Sequence, residues 1–210
     1  MGKIIVIGGG GHAKVLIDLI RTVGIYEIVG ILDLQLNVDV KVLGVPVLGN
    51  DGLLPQLYEN GVTIACIGVG SIKDNGKRKN LYDEVKNIGF NIPSLVHPKS
   101  VVSGGVQISE GVQVMAGAII QTGSLVGENT IINTGAIVEH DCKIGRNVHL
   151  CPGSVLSGGC TVGNGAFVGA GVTIRHEVEI GKNAIVAAGA VVINNVLERA
   201  IVRGVPAKGE

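Results

Sequence analysis

Residues 132–156 read INTGAIVEHDCKIGRNVHLCPGSVL, with an aliphatic side chain at every sixth position: Ile132, Val138, Ile144, Leu150 and Leu156. The period extends unbroken in both directions. It runs back through Val126, Ile120, Val114, Ile108 and Val102 to Val96, and forward through Val162, Val168, Ile174, Ile180 and Val186 to Val192. Four residues beyond each aliphatic stands a small or β-branched residue, as at Ala118, Ser124, Thr130, Ala136, Cys142, Val148, Ser154, Cys160 and Ala166. No helical period divides into six, whereas a short strand followed by a turn does. The pattern therefore predicts a parallel β-solenoid over 96–193, with three hexads to each triangular coil and about five coils in all.

Composition agrees with a solenoid. The chain has 34 Gly, 2 Phe and no Trp. Turns that need positive φ use glycine, and a narrow interior admits Val and Ile but few rings. Lys+Arg and Asp+Glu are both 17, so no global field draws the chain to nucleic acid or to an anionic membrane, and neither is expected as a partner. No run of 18 apolar residues suggests a span. Met1-Gly2-Lys3 leads directly into an apolar strand with no cleavage signal, so no secretory leader is expected. The 4 cysteines have no CxxC spacing, and Cys142 and Cys160 fall on lining positions. Packing accounts for them better than a metal or disulfide framework, and a reducing cytoplasm fits.

Residues 1–95 read differently, as alternating strands and helices. Apolar strands are expected at 3–8, 28–32 and 63–69. A helix over 14–23 is expected to carry Val15, Leu16, Leu19, Ile20 and Val23 on one face, with Gly24 as its stop. A short helix follows at 53–58, and a charged one at 77–88. This order implies a small parallel sheet. The tail, 194–210, leaves the hexad pattern at Asn194-Asn195.

Two stretches carry chemistry. Gly8-Gly9-Gly10-Gly11-His12-Ala13 follows a strand, opens a helix and satisfies G-x-G-x-x-A. Its glycines let backbone N–H groups approach a diphosphate. Asp33 ends the next strand, where an acid can accept from a ribose hydroxyl. The domain holds little more than one mononucleotide half, so a nucleotide linked to a small group fits better than a dinucleotide. Gly68-Val69-Gly70 ends a third strand at the same carboxyl edge. The second stretch is Glu139-His140-Asp141. A histidine facing outward beside carboxylates suits a general base, because a neighbouring anion strengthens an imidazole and fixes its tautomer. His149 and His176 remain alternatives that spacing alone does not rank.

The glycine run GGGGHAK (8–14), Asn133-Thr134-Gly135, EHDCKIG (139–145) and GVPAK (204–208) together resemble the NeuD/PglD-like sugar acetyltransferases over nearly the whole chain. The resemblance implies a small Rossmann-like βαβ domain followed by a left-handed parallel β-helix, a homotrimer, and acetyl-CoA as co-substrate with no metal. It implies His140 as the base and Asp141 as the acid that supports it, where the best-matched relatives carry Glu. Gly10, Gly11, His12, Asp33 and Gly68 match nucleotide-sugar contacts. His149, Ala170 and Ala188 match acetyl-CoA contacts, Asn133 a sugar contact, and Arg203 and Lys208 CoA phosphate contacts. The implied activity is N-acetylation of a UDP-linked amino sugar of the 4-amino-4,6-dideoxy type. Sialic acid O-acetylation and a non-catalytic nucleotide-sugar sensor are the alternatives. Cys142 sits on a lining position, which argues against an acyl-cysteine intermediate.

Overall fold

The structure, a computed structural model, describes residues 1–71 and 75–209. The chain forms two units: residues 1–71 with 77–95, and Asn75 and Gly76 with 96–209. In the first unit, β1 (Gly2–Ile7) leads to α1 (Gly11–Val23), β2 (Tyr26–Leu32), β3 (Lys41–Val42) and β4 (Val45–Gly49). A 3-10 turn (Asp51–Leu53), α2 (Leu54–Glu59), β5 (Ile64–Ile67) and α3 (Gly76–Ile88) follow. The sheet order is β3-β4-β2-β1-β5, with β4, β2, β1 and β5 parallel. Ile4, Ile5, Val6 and Ile7 are all buried, as a central parallel strand requires.

Two details differ from the sequence reading. The α1 face that packs inward is Ala13, Leu16, Ile17 and Ile20, at i, i+3, i+4 and i+7, joined by Leu19, while Val15 is 46% exposed. Hydrophobicity alone had placed Val15 on that face; helical phase rotates it to solvent. The second difference is the β3–β4 hairpin, an antiparallel edge on the parallel sheet. Leu43 (φ 49°) and Gly44 (φ 81°) form its two-residue turn, and the Leu-Gly pair between Val42 and Val45 was the signal for it.

In the second unit, two-residue strands recur every six residues from Leu95–Val96 to Val191–Val192. Each pairs in parallel with the strand 18 residues on, as Ile119–Ile120 does with Ile137–Val138 and that with Val155–Leu156. Three sheets result, the faces of a left-handed β-helix. The aliphatic and small positions fill its interior, with Val138, Leu150, Leu156, Cys142 and Cys160 fully buried. Ser124 and Thr130 line it as well. Each hydroxyl donates to a backbone carbonyl (Glu139 and Gly145) and accepts from an N–H (Cys142 and Val148).

The sequence period breaks at Asn194-Asn195, but strand pairing continues. Val196 bridges to Ile180, and Ile201–Arg203 pairs with Ile185–Val186 before turning back on Lys208–Gly209. Asn75 belongs to this unit because its buried amide donates to the carbonyls of Asn147, Gly165 and Ala166.

One backbone feature sets out the surface. From residue 105 to 189, every sixth residue has φ near +60 to +80°. Gly fills ten of these fifteen slots and Asn three, at 129, 147 and 183; the other two are Asp141 and Glu177. Glycine and asparagine are the residues that adopt this conformation at least cost.

Candidate active site

Two sites emerge, one in each unit. In the first, Gly8, Gly9, Gly10 and Gly11 divide by role. A Cβ on Gly8 (φ 100°) would stand 2.7 Å from Val69, and one on Gly9 would stand 2.5 Å from Leu36. These two glycines are required by packing. A Cβ on Gly10 or Gly11 would meet nothing within 4 Å, so the space above them is open. Gly10 is the N-cap of α1 with no side chain to bond the first turn, and that turn carries no acid. The first N–H spent inside the helix is that of Lys14, on Gly10 O. An anion is what such a terminus accommodates.

Asp33 supports this loop from β2. Its Oδ2 accepts from Gly9 N at 2.7 Å, and its Oδ1 accepts from Gln35 N and Leu36 N at 2.8 and 3.0 Å. Burial raises the carboxyl, but the N–H groups of Gln35, Gly9 and Leu36, with Lys77, outweigh it, and the pKa falls below the usual carboxylate range. Oδ2 retains a lone pair for one further donor. Nearby Asp51 shifts the other way, raised by burial and by Glu84 and Asp33. Gly68 lies under the loop, where a Cβ would stand 2.7 Å from Gly8 O, and a Cβ on Gly70 would stand 3.3 Å from the Cβ of the half-buried His12.

Arg78 was missed in the sequence. It is 2% exposed, and its Nη1 donates to Ile67 O (2.8 Å) and Val69 O (2.9 Å), the carbonyls on either side of Gly68. Burial lowers its pKa to about 9, which leaves it charged at neutrality. The signal was phase: Arg78, Leu81, Tyr82 and Val85 form the buried face of α3 at i, i+3, i+4 and i+7.

In the solenoid, His140 and Asp141 occupy a corner turn with 61% and 71% exposed side chains, and His140 Nδ1 meets Asp141 Oδ2 at 2.9 Å. The carboxylate accepts, so Nδ1 carries the proton and Nε2 presents a lone pair. Asp141 reaches its neighbour despite its short side chain because it occupies a left-handed slot (φ 59°). Its carboxylate lies over Gly123, one coil back, where any Cβ would collide with Oδ1. The His140 ring leans the opposite way, and a Cβ on Gly158, one coil forward, would stand 2.6 Å from Cε1 and Nε2.

His149 occupies a different environment. It is 6% exposed, stacks edge-on against Phe167, and its Nε2 accepts from Asn133 Nδ2 at 3.0 Å. Asn133 Oδ1 in turn accepts from Thr134 N, which fixes the amide's orientation. The nine residues between His140 and His149 are half a coil, so the two rings project from opposite sides of the prism. Ala170 and Ala188 are exposed and stack one coil apart on a third region of the surface, where Gly189 N donates to Ala170 O. The terminal hairpin sets Arg203 opposite Lys208. Cys142 is fully buried, and its Sγ donates to Ser157 O. Its hydrogen bond to Cys160, together with burial, pushes the thiol up, so it is no nucleophile. Among the described residues, no three His, Cys, Asp or Glu groups gather as a metal site, and no helix is long and apolar enough to cross a membrane.

Residues 3–85 match the PglD N-terminal domain, and residues 123–158 and 159–194 match the bacterial transferase hexapeptide family. PerB from Caulobacter crescentus, in complex with CoA and GDP-perosamine, is 43% identical over 100% of this chain and 98% of its own, with a TM-score of 0.92. A variant of GDP-perosamine N-acetyl transferase from the same organism, with one histidine replaced by alanine and the same two ligands, is 42% identical over 100% and 97%, also at 0.92. The acetyltransferase domain of PglB from Neisseria gonorrhoeae, with acetyl coenzyme A, is 34% identical over 99% and 98%, at 0.92. The protein is an acyltransferase and belongs to the NeuD/PglD family of hexapeptide-repeat sugar acetyltransferases.

Proposed function

We infer that the protein transfers the acetyl group of acetyl-CoA to the amine of a nucleotide-linked amino sugar, with His140 as general base and Asp141 as the residue that holds its tautomer. The observation that carries this reading is the 2.9 Å contact of Asp141 with Nδ1, on a 61% exposed side chain, which leaves Nε2 to take the proton. The amine nitrogen attacks the thioester carbonyl while Nε2 takes its proton. The C–S bond then breaks, and the proton passes from Nε2 to the departing sulfur. General-base assistance of this kind contributes about 10²–10⁴-fold, with orientation supplying much of the rest. Neither a metal nor a covalent acyl-enzyme is required.

The nucleotide's diphosphate lies above Gly10 and Gly11 at the α1 terminus, beside His12, and Asp33 Oδ2 accepts from a ribose hydroxyl. Gly68, held by Arg78, acts by shaping that loop. The acceptor we assign is a UDP-linked 4-amino-4,6-dideoxy sugar. A GDP-linked amino sugar is the second reading, favoured by the GDP-perosamine bound in PerB at 43% identity. His149 and Asn133 cannot meet His140 on one thioester within a single coil, because half a coil separates them. The reading therefore requires a second copy beside each His140, and a homotrimer supplies it. Ala170 and Ala188 then flank the CoA arm, and Arg203 and Lys208 meet its phosphates. The four free thiols fit a reducing cytoplasm.

Thiol release from acetyl-CoA tests the reading, with UDP- and GDP-linked 4-amino sugars and sialic acid supplied separately. Turnover with an amino sugar, abolished by His140→Ala while both ligands still bind, is the expected result. Turnover with sialic acid alone would replace the acceptor. Ligand binding without turnover in any arm would make the protein a sensor.

A further inference from the structure

The turn that carries His140 is built differently from the turns of the corner before it. In turns 133–136, 151–154, 169–172 and 187–190 the fourth N–H donates directly to the first C=O, at 3.0 to 3.3 Å. In turn 139–142 the same two groups are bridged by the hydroxyl of Ser124, from the coil behind. Its Oγ accepts from Cys142 N at 3.2 Å and donates to Glu139 O at 2.9 Å. Ser124 is fully buried, so the bridge stands on the inner side of the corner while the His140 side chain is exposed on the outer side.

A lining serine does not bridge by default. Ser154 holds the same hexad position one coil behind turn 169–172, yet that turn closes directly, and Ser154 Oγ has no partner among the described residues. Inside the His140 corner the bridging groups stack. Cys142 Sγ donates to Ser157 O at 3.3 Å, and Cys160 Sγ to Arg175 O at 3.2 Å. Ser124, Cys142 and Cys160, spaced by 18 residues and all fully buried, thus stand inside the successive turns of His140, Gly158 and His176. Thr130 makes a hydroxyl bridge equivalent to that of Ser124, between Gly145 O and Val148 N, in a turn without a histidine.

We propose that Ser124 is a positioning residue for acetyl transfer, because its bridge sets the direction in which His140 and Asp141 leave the backbone. The proposal rests on the reading of His140 as the general base. A hydroxyl placed between a C=O and an N–H holds them farther apart than one hydrogen bond does, so turn 139–142 is wider than turn 133–136. The rest of its backbone is anchored to both neighbouring coils: Glu139 N donates to Leu156 O, Asp141 N to Thr122 O, and Gly159 N to His140 O. With these contacts fixed, the width of the turn is what aims the two side chains. Deleting the hydroxyl lets the turn close directly or leaves two buried backbone groups unmet. Either event moves the His140–Asp141 pair relative to Gly158.

The test is steady-state acetyl transfer by the full-length protein, with acetyl-CoA and UDP- or GDP-linked 4-amino sugars. Misplacing a reacting group by 1 Å costs about 10²-fold, and a partial closure of the turn in Ser124→Ala should lower kcat about tenfold. KM for both substrates should stay within about twofold. Thr130→Val deletes the equivalent bridge and should lower the thermal midpoint comparably, with kcat within about twofold of wild type. Ser124→Thr restores the hydroxyl on a side chain that the lining accepts at 130, and should return kcat to within about threefold. In a His140→Ala background Ser124→Ala should cost nothing further, since both act through one ring. Should the alanine variant not fold, Ser124→Cys, which puts at 124 the thiol already present at 142, should lower kcat about threefold. A kcat for the Ser124 variants equal to that of Thr130→Val, a rise in KM instead, or no rescue by threonine would overturn the assignment. A His140→Ala enzyme that kept its rate would overturn the reading of His140 itself, a distinct outcome.

Discussion

Gly158→Ala adds one methyl group and should nearly silence the enzyme without unfolding it. The new Cβ would stand 2.6 Å from Cε1 and Nε2 of His140, whereas carbon atoms in contact rest at about 3.5–4.0 Å. The ring must therefore retreat by about 1 Å. It cannot do so freely, because its Nδ1 is tied to Asp141 at 2.9 Å, and Asp141 is itself fixed over Gly123 by its left-handed backbone. Either that bond stretches or χ leaves its well, at about 0.5–1.5 kcal/mol for a 30° departure. A displacement of 1 Å at a reacting group costs about 10²-fold in rate. The fold should not suffer, since Gly158 lies outside the left-handed region and at the surface. We expect kcat/KM for acetyl transfer to fall about 100-fold, with a thermal midpoint within a few degrees of wild type. In a His140→Ala background the same change should cost nothing further, because the two act through one ring. A Gly158→Ala enzyme within threefold of wild type would show that His140 does not work from this position.

Asp141→Asn keeps the left-handed backbone, which asparagine tolerates, but replaces an acceptor-only carboxylate with an amide whose nitrogen can donate to Nδ1, so the proton is no longer held there. Acetyl transfer should fall about 10²-fold or more, with CoA affinity unchanged by titration. Gly11→Ala meets no protein atom, so thermal stability should hold or rise, while affinity for the nucleotide sugar drops at least tenfold. Gly68→Ala, at 2.7 Å from Gly8 O, should lower stability first. Ser154 Oγ is buried with no partner, so Ser154→Ala should be neutral or stabilising. Ser124→Ala strands a carbonyl and an N–H and should cost about 1–3 kcal/mol in denaturant unfolding. Asp33 has a carboxyl lowered by folding, so its contribution is present at neutral pH and is lost as pH falls through the folded value. The stability gap between wild type and Asp33→Asn should therefore close below about pH 4; a gap that persisted there would refute the carboxylate clamp.

The solenoid was legible because each hexad repeats one physical demand, a buried aliphatic followed by a tight turn, and the demand never lapses between Val96 and Val192. The helix face of α1 was less so, since Val15 and Ile17 are equally apolar and only the phase of the whole segment separates them. The β3–β4 hairpin is two short strands, below the length at which alternation speaks. In the glycine loop the G-x-G-x-x-A spacing was visible, but which glycines serve packing was not. That division depends on Leu36, Val69 and Gly8 O approaching from distant parts of the chain. Arg78 escaped because a cation in an apolar phase reads as surface until its two carbonyl partners are seen.

The left-handed slots connect fold to chemistry. A parallel β-helix needs one such residue at each turn, and glycine meets that need with nothing projecting. At three of the five slots that hold a larger residue, its side chain lies over a glycine one coil back: Gly123 beneath Asp141, Gly159 beneath Glu177 and Gly165 beneath Asn183, whereas Asn147 stands over Asn129 and accepts from its amide. At those three slots the projecting side chain is matched by a glycine 18 residues earlier. His140 adds a further position, Gly158, 18 residues later. These glycines fix where the His140 ring and the Asp141 carboxylate can lie.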